Sequence, residues 1–192
     1  MPPQSALTEQ ARTGWATFLR PGSWALDATA GNGHDTAALA EAVSPGGHVF
    51  ALDIQNEALR STAALLEKRE LLKVVSLIKG DHGQMRTFLP CGIRGRLNLV
   101  CFNLGYLPGG DHGLATRPES TLAALHESLL LLAPGGALSV IAYRGHEGAM
   151  DEARVVRAFF ETLPDPWQCH QSVATGSDRR PGPVWFLASA RP

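Results

Sequence analysis

Short apolar runs of strand length alternate along this chain with longer segments in which apolar residues recur at helical spacing. That order, kept from one end to the other, predicts a parallel sheet covered by helices. Residues 5 to 19 read as a mixed-polarity helix ended by Arg20-Pro21-Gly22, and Trp24-Ala25-Leu26 as a short strand that turns at Asp27. Thr36 to Val43 reads as a helix stopped by Ser44-Pro45-Gly46-Gly47, His48 to Asp53 as the second strand, and Asn56 to Lys68 as the next helix. Val74 to Ile78 is the third predicted strand, with a short helix or turn after Gly80-Asp81-His82. Leu97 to Phe102 is apolar throughout, as a buried parallel strand should be. A Gly/Pro-rich loop over 104–113 leads to a Leu-rich helix over 118–132. Pro134-Gly135-Gly136 then turns the chain into a fifth strand, Ala137 to Tyr143. Gly148 to Leu163 reads as a helix, and Trp167 to Ala174 and Val184 to Ala190 as two strands joined by a polar turn.

The chain has 192 residues, no internal repeat and no composition break, so a single domain over 1–192 is expected, with 1–21 as a helical extension. Seventeen basic and eighteen acidic side chains leave a net charge of -1. That balance argues against sequence-blind coating of nucleic acid, which needs many phosphate contacts, but leaves room for a structured RNA held by a local patch. No DNA partner is expected. The N-terminus lacks a basic segment followed by an apolar one, so no secretory signal is read there. The most apolar stretch, Leu122 to Tyr143, is broken by His126, Glu127 and Pro134-Gly135-Gly136, which excludes one membrane span. Cys91, Cys101 and Cys169 have no metal-ligand spacing and read as reduced thiols; a cytoplasmic protein without a bound metal is the expectation.

The chemistry concentrates in two loops. Asp27-Ala28-Thr29-Ala30-Gly31-Asn32-Gly33-His34-Asp35 lies between a strand and a helix. Gly31 and Gly33 allow unusual dihedrals and close approach of a ligand to the backbone, and the helix N-terminus beyond offers free N–H groups. A bare G-x-G is weak evidence, since many strand–helix turns use glycine for steric reasons. Asp53 strengthens it: about 20 residues past Gly33, at the end of the second strand, a carboxylate can accept from both hydroxyls of a ribose. A dinucleotide site usually carries a third glycine, where this chain has Thr36. Asp27 and Asp35 would repel a pyrophosphate but suit a sulfonium and an ammonium, which points to S-adenosylmethionine (SAM) rather than NAD. The bland alternative is that Asp35 caps the helix and Asp27 ties the loop to nearby N–H groups. Asp81 and His82 follow the third strand, where a carboxylate could take an adenine amine; a surface turn histidine is the alternative for His82.

Asn103-Leu104-Gly105-Tyr106-Leu107-Pro108-Gly109-Gly110-Asp111 follows the fourth strand, on the edge where ligands sit in open α/β sheets. Asn103 can accept a hydrogen bond from an amine and orient its lone pair, and Tyr106 offers a face for a base to stack on. His146, after the fifth strand, could touch substrate or take a proton, or simply pack against its loop. Glu152 reads as structural, at a helix start where the dipole favours an acid.

Four segments in order, Asp27–Thr36, Phe50–Gln55, Phe102–Asp111 and Tyr143–Gly148, resemble the small class I methyltransferases long labelled rRNA methylases, members of which act on transfer RNA as MnmM-type enzymes. The resemblance covers about residues 22 to 152. It implies a Rossmann-like α/β fold with a seven-stranded, mostly parallel sheet, an antiparallel C-terminal strand and helices on both faces. It implies transfer of a methyl group from SAM to the exocyclic amine of 5-aminomethyl-(2-thio)uridine at the tRNA wobble position. The resemblance carries cofactor contacts onto Asn32, Asp35, Asp53, Gln55 and His82 and substrate contacts onto Asn103, Tyr106 and His146. Together with the loop reading, the expected cofactor set is Asp27, Thr29, Gly31, Asn32, Gly33, Asp35, Thr36, Asp53, Ile54, Gln55, Asp81, His82 and Asn103, and the expected catalytic set Asn103, Tyr106 and His146. The family tends to close with an Asn-rich, Pro-Pro segment, where this chain has Ser177-Asp178-Arg179-Arg180-Pro181-Gly182-Pro183. With no separate anticodon-binding domain, tRNA would be gripped by the rim, near Arg144, Arg154, Arg179 and Arg180, and a homodimer would extend that face. The competing functions are an rRNA or small-molecule methyltransferase, and a non-catalytic nucleotide- or RNA-binding module.

Overall fold

The computed structural model describes residues 6–105, 107, 116–145, 148–175 and 181–190. Its elements follow in the order α1 (Ala6–Trp15), β1 (Trp24–Asp27), α2 (His34–Val43), β2 (His48–Asp53), α3 (Asn56–Lys68), β3 (Val75–Lys79), β4 (Leu97–Leu104), α4 (Pro118–Leu131), β5 (Leu132–Ala142), α5 (Ala149–Glu161), β6 (Trp167–Val173) and β7 (Val184–Ala190). The seven strands form one sheet in the order β3-β2-β1-β4-β5-β7-β6. The first five run parallel, while β7 pairs antiparallel with both β5 and β6.

Strand residues alternate between two cores, because both faces of a parallel sheet are covered. Ala25, Val49, Ala51, Leu99 and Cys101 face the side packed by α1, α2 and α3. Leu26, Phe50, Leu52, Val100 and Phe102 face the side packed by α4 and α5, with Met85, Leu89 and Ile93 filling in beneath. The small residues of the first face let α2 lie close to the sheet.

Three expectations shift in detail. The first helix ends at Trp15 rather than 19, where the chain tightens into a turn with Thr17 N–H donating to Gly14 O and Phe18 N–H to Trp15 O. The helix after the glycine loop starts at His34, two residues earlier than Thr36. Pro134-Gly135-Gly136 lies within β5 as an irregularity: Leu132 pairs with Leu97 and Ala137 already with Leu99, so three extra residues bulge out at a positive φ on Gly135. The expected extension at the N-terminus is also more tightly bound than that word suggests. The indole N–H groups of Trp15 and Trp185 both donate to Ser139 Oγ at 2.9 Å in the core. Gly14 lies so close to Trp185 that a Cβ there would stand 2.8 Å from its ring. Helix α1 is thereby pinned to β5 and β7.

The strand order reverses between β1 and β4. The chain leaves β1 outward through β2 and β3, then returns to β4 on the other side of β1. At such a switch point the loops beyond the strand ends part and leave a crevice, and here it lies between the loop after β1 and the end of β4.

Candidate functional site

The glycine loop is held by backbone geometry and a few side chains. Gly33 adopts φ +81, and a Cβ on it would stand 2.8 Å from Thr62 Cα in α3, so both the dihedral and the space require glycine. Gly31, at φ +53, donates its N–H to Asp53 Oδ2 at 2.9 Å and accepts from Thr62 Oγ1 at 3.1 Å through its carbonyl. Asp53 Oδ1 accepts from Gln55 N–H at 2.8 Å, so the loop after β1 is tied directly to the end of β2. Asn32 and Gln55 are half-buried beside it, and Ile54 is exposed on the rim.

The acids of the loop carry different tasks. Asp27 is buried, accepts from Thr36 Oγ1 at 2.6 Å and from Thr29 N–H at 3.1 Å, and ties the two ends of the loop together. Burial, with the nearby Asp35 carboxylate, pushes its pKa from 3.8 to about 7. Asp35 makes no cap to its helix; Gly33 is the N-cap and no side chain bonds there. Instead Asp35 Oδ1 is clasped by Arg12 of α1, at 2.8 Å from Nε and 2.6 Å from the terminal nitrogen, and Oδ2 accepts from Asn103 Nδ2 at 3.1 Å. The alternative reading of Asp35 as a helix cap gives way to an ion pair that holds a neighbouring amide. Asp53, half-buried, is pushed upward mainly by burial.

Asn103 lies one residue before the end of β4, at the crevice. Its N–H donates to Thr29 Oγ1 at 2.7 Å, which joins the acceptor strand to the glycine loop. Its Oδ1 is buried and has no hydrogen-bond partner among the described residues. His82 shares that condition: the ring is buried, packs edge-on against Phe102 at 5.9 Å between centroids, and leaves Nε2 without a partner among the described residues. It is therefore no surface turn histidine, and burial lowers its pKa. Asp81 caps the turn that His82 begins, accepting from Gly83 N–H at 2.8 Å. Buried polar atoms without partners are costly, so two of them flanking one crevice mark where a ligand with complementary groups belongs. Asp27, Asp35 and Asp53 surround the same loop with Arg12 as the cation paired to it, which leaves an excess of negative charge suited to a cationic ligand. These donors and acceptors fit SAM: a ribose for Asp53, a positive centre for the acidic loop, and hydrogen-bonding edges for His82 and Asn103.

Two groups of residues were not legible as site components. Arg12 gave no signal, being one basic residue on a mixed helix. Glu152 was read for its helix dipole, yet it is 2% exposed and accepts from Thr116 Oγ1 at 2.7 Å and Thr121 Oγ1 at 2.6 Å. Thr116 in turn accepts from Gly105 N–H at 3.0 Å and returns its own N–H to Gly105 O at 3.0 Å. Glu152 thus closes the base of the loop that follows Asn103, and Leu107 lies buried beside Gly31. Tyr106 and His146 lie outside the described residues, as do Arg179 and Arg180. Arg144 donates to Gly182 O at 2.6 Å, and Arg154 is an exposed partner of Asp151. No helix among the described residues is long and apolar enough to cross a membrane.

Residues 49–187 match the model of the family described as "Putative rRNA methylase". The chain belongs to this family. Helices on both faces of a seven-stranded sheet, with only the C-terminal strands antiparallel, make its architecture that of a class I methyltransferase. Among curated proteins it is 38% identical over 174 residues to the chloroplastic tRNA (mnm5s2U34)-methyltransferase of Arabidopsis thaliana, an alignment that covers 84% of this chain and 62% of that one. The chain therefore spans less than two thirds of that relative's length. A crystal structure with the family's own description, from Clostridium thermocellum, superposes with a TM-score of 0.87 at 33% identity, covering 98% of this chain and 99% of the other. A "putative methyltransferase" from Streptococcus mutans, solved in complex with SAH, gives a TM-score of 0.81 at 28% identity over 95% and 97%.

Proposed function

We propose that this protein is a SAM-dependent tRNA methyltransferase that N-methylates the 5-aminomethyl group of (2-thio)uridine at the wobble position. The observation that carries the reading is Asn103: a buried amide oxygen beside the glycine loop, unpartnered among the described residues, where an amine N–H would find its acceptor. The named activity of the Arabidopsis relative supports the substrate, and the SAH complex of the Streptococcus mutans neighbour supports the cofactor. Three free cysteines fit a reducing, cytoplasmic setting.

When bound, SAM supplies a methyl carbon made electrophilic by a positive sulfur that leaves as a neutral thioether. The protein has to align the acceptor and bring it in uncharged. An alkylamine is mostly protonated near neutral pH, and desolvation in a crevice favours its neutral form. Asn103 Oδ1 accepts one amine N–H and so turns the nitrogen lone pair toward the methyl carbon. As the N–C bond forms and the C–S bond breaks, the nitrogen becomes positive, and its extra proton passes to solvent. Asn103 orients and does not act as a base. Asp53, Gln55 and His82 would hold the nucleoside end of SAM, while Asp27 and Thr36 keep the loop shut beneath it. Tyr106 and His146 are proposed to meet the base and its substituent.

The test is a purified reaction with SAM and tRNA isolated from cells lacking the gene, with nucleosides read by mass spectrometry. The expected result is conversion of aminomethyl- to methylaminomethyl-uridine, and a fall in kcat of about 100-fold in Asn103→Ala with SAM affinity within about threefold of the parent. An unchanged tRNA profile, with methyl incorporated into rRNA instead, overturns the substrate assignment.

A further inference from the structure

Asn103 would be of little use if its amide could turn over. An asparagine presents a donor on one side and an acceptor on the other, and a half-turn exchanges them. In this structure the choice is made by Asp35. An ionised carboxylate only accepts, so the amide must give it Nδ2, at 3.1 Å, and is left with Oδ1 on its other side. Asp35 is itself held by Arg12, whose Nε and terminal nitrogen both reach Oδ1 within 2.8 Å. The Asp35 side chain is only 10% exposed. Without Arg12, Oδ1 of this enclosed carboxylate would lose both guanidinium donors that fix its orientation. Arg12 is placed by a helix with no freedom to drift, since Ala11 and Trp15 are buried on either side of it in sequence and Trp15 is bonded to Ser139.

We propose that Arg12 is a positioning residue for methyl transfer: through Asp35 it locks the Asn103 amide with its oxygen toward the acceptor amine. This rests on the functional reading above. It assigns the N-terminal helix a part in acceptor alignment, and it gives Asp35 an anchoring task in addition to the cofactor contact expected of it. Arg12 itself touches neither substrate nor SAM in this scheme. A lysine could supply the charge but not the two-nitrogen clasp, so it should restore only part of the effect.

The decisive experiment compares Arg12→Ala, Arg12→Lys, Asn103→Ala and the double variant Arg12→Ala/Asn103→Ala. Arg12→Ala should lower kcat about 20-fold, with SAM affinity and the KM for tRNA within about threefold of the parent, and Arg12→Lys should recover several-fold of that loss. The double variant should be no slower than Asn103→Ala alone, because the residue through which Arg12 acts is already gone. A second readout needs no substrate. In the ligand-free protein the Asn103 side-chain NH2 pair should give a distinct signal in a 15N–1H correlation spectrum, assigned by its loss in Asn103→Ala. It should move toward free-amide shifts in Arg12→Ala, with the other side-chain amides unmoved. Normal kcat in Arg12→Ala, multiplying losses in the double variant, or an unmoved Asn103 signal overturns the proposal. If the parent protein fails to methylate this tRNA, the substrate reading falls, and the amide signal alone decides for or against the lock.

Discussion

The two sides of the crevice are built on different principles. On the side of β1 and β2, the glycine loop is set by backbone: Gly33 at a positive φ against Thr62 Cα, Gly31 tied at both its N–H and its carbonyl. On the side of β4 and β5, the acceptor end is set by side chains that come from far along the chain. Arg12 and Asp35 orient Asn103, and Glu152 binds Thr116 and Thr121 under the loop that follows it. A site whose main chain is itself gripped, as Gly31 is by Asp53 and Thr62, tolerates almost no substitution. A side-chain-set site can be retuned one contact at a time, which suits the half that must match a particular methyl acceptor.

The sharpest break in that comparison is Gly33→Ala. The new Cβ meets Thr62 backbone at 2.8 Å, and an L-residue at φ +81 is strained even in open space. Together these should cost about 2–4 kcal/mol of stability and, because the loop shifts, about 100-fold in SAM affinity. Thermal unfolding and calorimetry with SAM check both. Near-parental SAM binding in this variant would mean that the loop is not backbone-set, and the contrast between the two sides would dissolve.

This difference also explains what could be read from sequence. Residues 27–36 are legible because their constraints are local: two glycines, a strand before, a helix after, and Asp53 at a predictable remove. The sheet is legible for the same reason, since the alternation in Val49-Phe50-Ala51-Leu52 records two covered faces. Asn103 could be singled out by its place at a strand end, but its orientation could not. The Arg12–Asp35 pair spans 23 residues, and the Thr116–Glu152 bond spans 36. No periodicity encodes such pairs; they exist only once α1 lies beside α2, and α5 beside α4. Charge counting found the negative loop but not its partners: Asp27 is bonded to Thr29 N–H and Thr36 Oγ1, and Asp35 to the Arg12 guanidinium.

A milder test falls on the side-chain-set half. Glu152→Gln replaces one of two carboxylate acceptors with a donor and removes the charge that strengthens both threonine bonds. Stability should fall by about 1–2 kcal/mol. SAM affinity should stay near parental, because Asp53 and the glycine loop are untouched. The KM for tRNA should rise several-fold, since the segment from Gly105 to Thr116 loses its closure. Equal losses in SAM and tRNA binding would show that the two sides are coupled more tightly than their construction implies.

The subtlest effect, a slope of stability with pH and not a loss of binding or turnover, is expected from Asp27, where the two principles meet: a side chain that ties the loop together. Its pKa is raised to about 7 by burial first and by Asp35 second. A carboxyl with a raised folded-state pKa binds its proton more tightly folded than unfolded. Between about pH 4 and pH 7 the native protein therefore carries more proton at this group, and stability falls as pH rises through that window. Below pH 4 both states are protonated and the slope vanishes; above pH 7 both are ionised and it vanishes again. One group can contribute at most about 1.4 kcal/mol per pH unit, and Asp53, whose pKa burial also raises, adds in the same sense. Asp27→Asn isolates the contribution. An asparagine can accept from Thr29 N–H through its oxygen and donate to Thr36 Oγ1, so the loop keeps its ties while the charge is gone. Denaturant unfolding of the ligand-free variant and parent at pH 5, 6, 7 and 8 should give a stability difference that grows in the variant's favour up to about pH 7 and then levels. A difference that stays flat across this range would mean that Asp27 is ionised throughout, and that the acidic loop carries its full charge even before a cation binds.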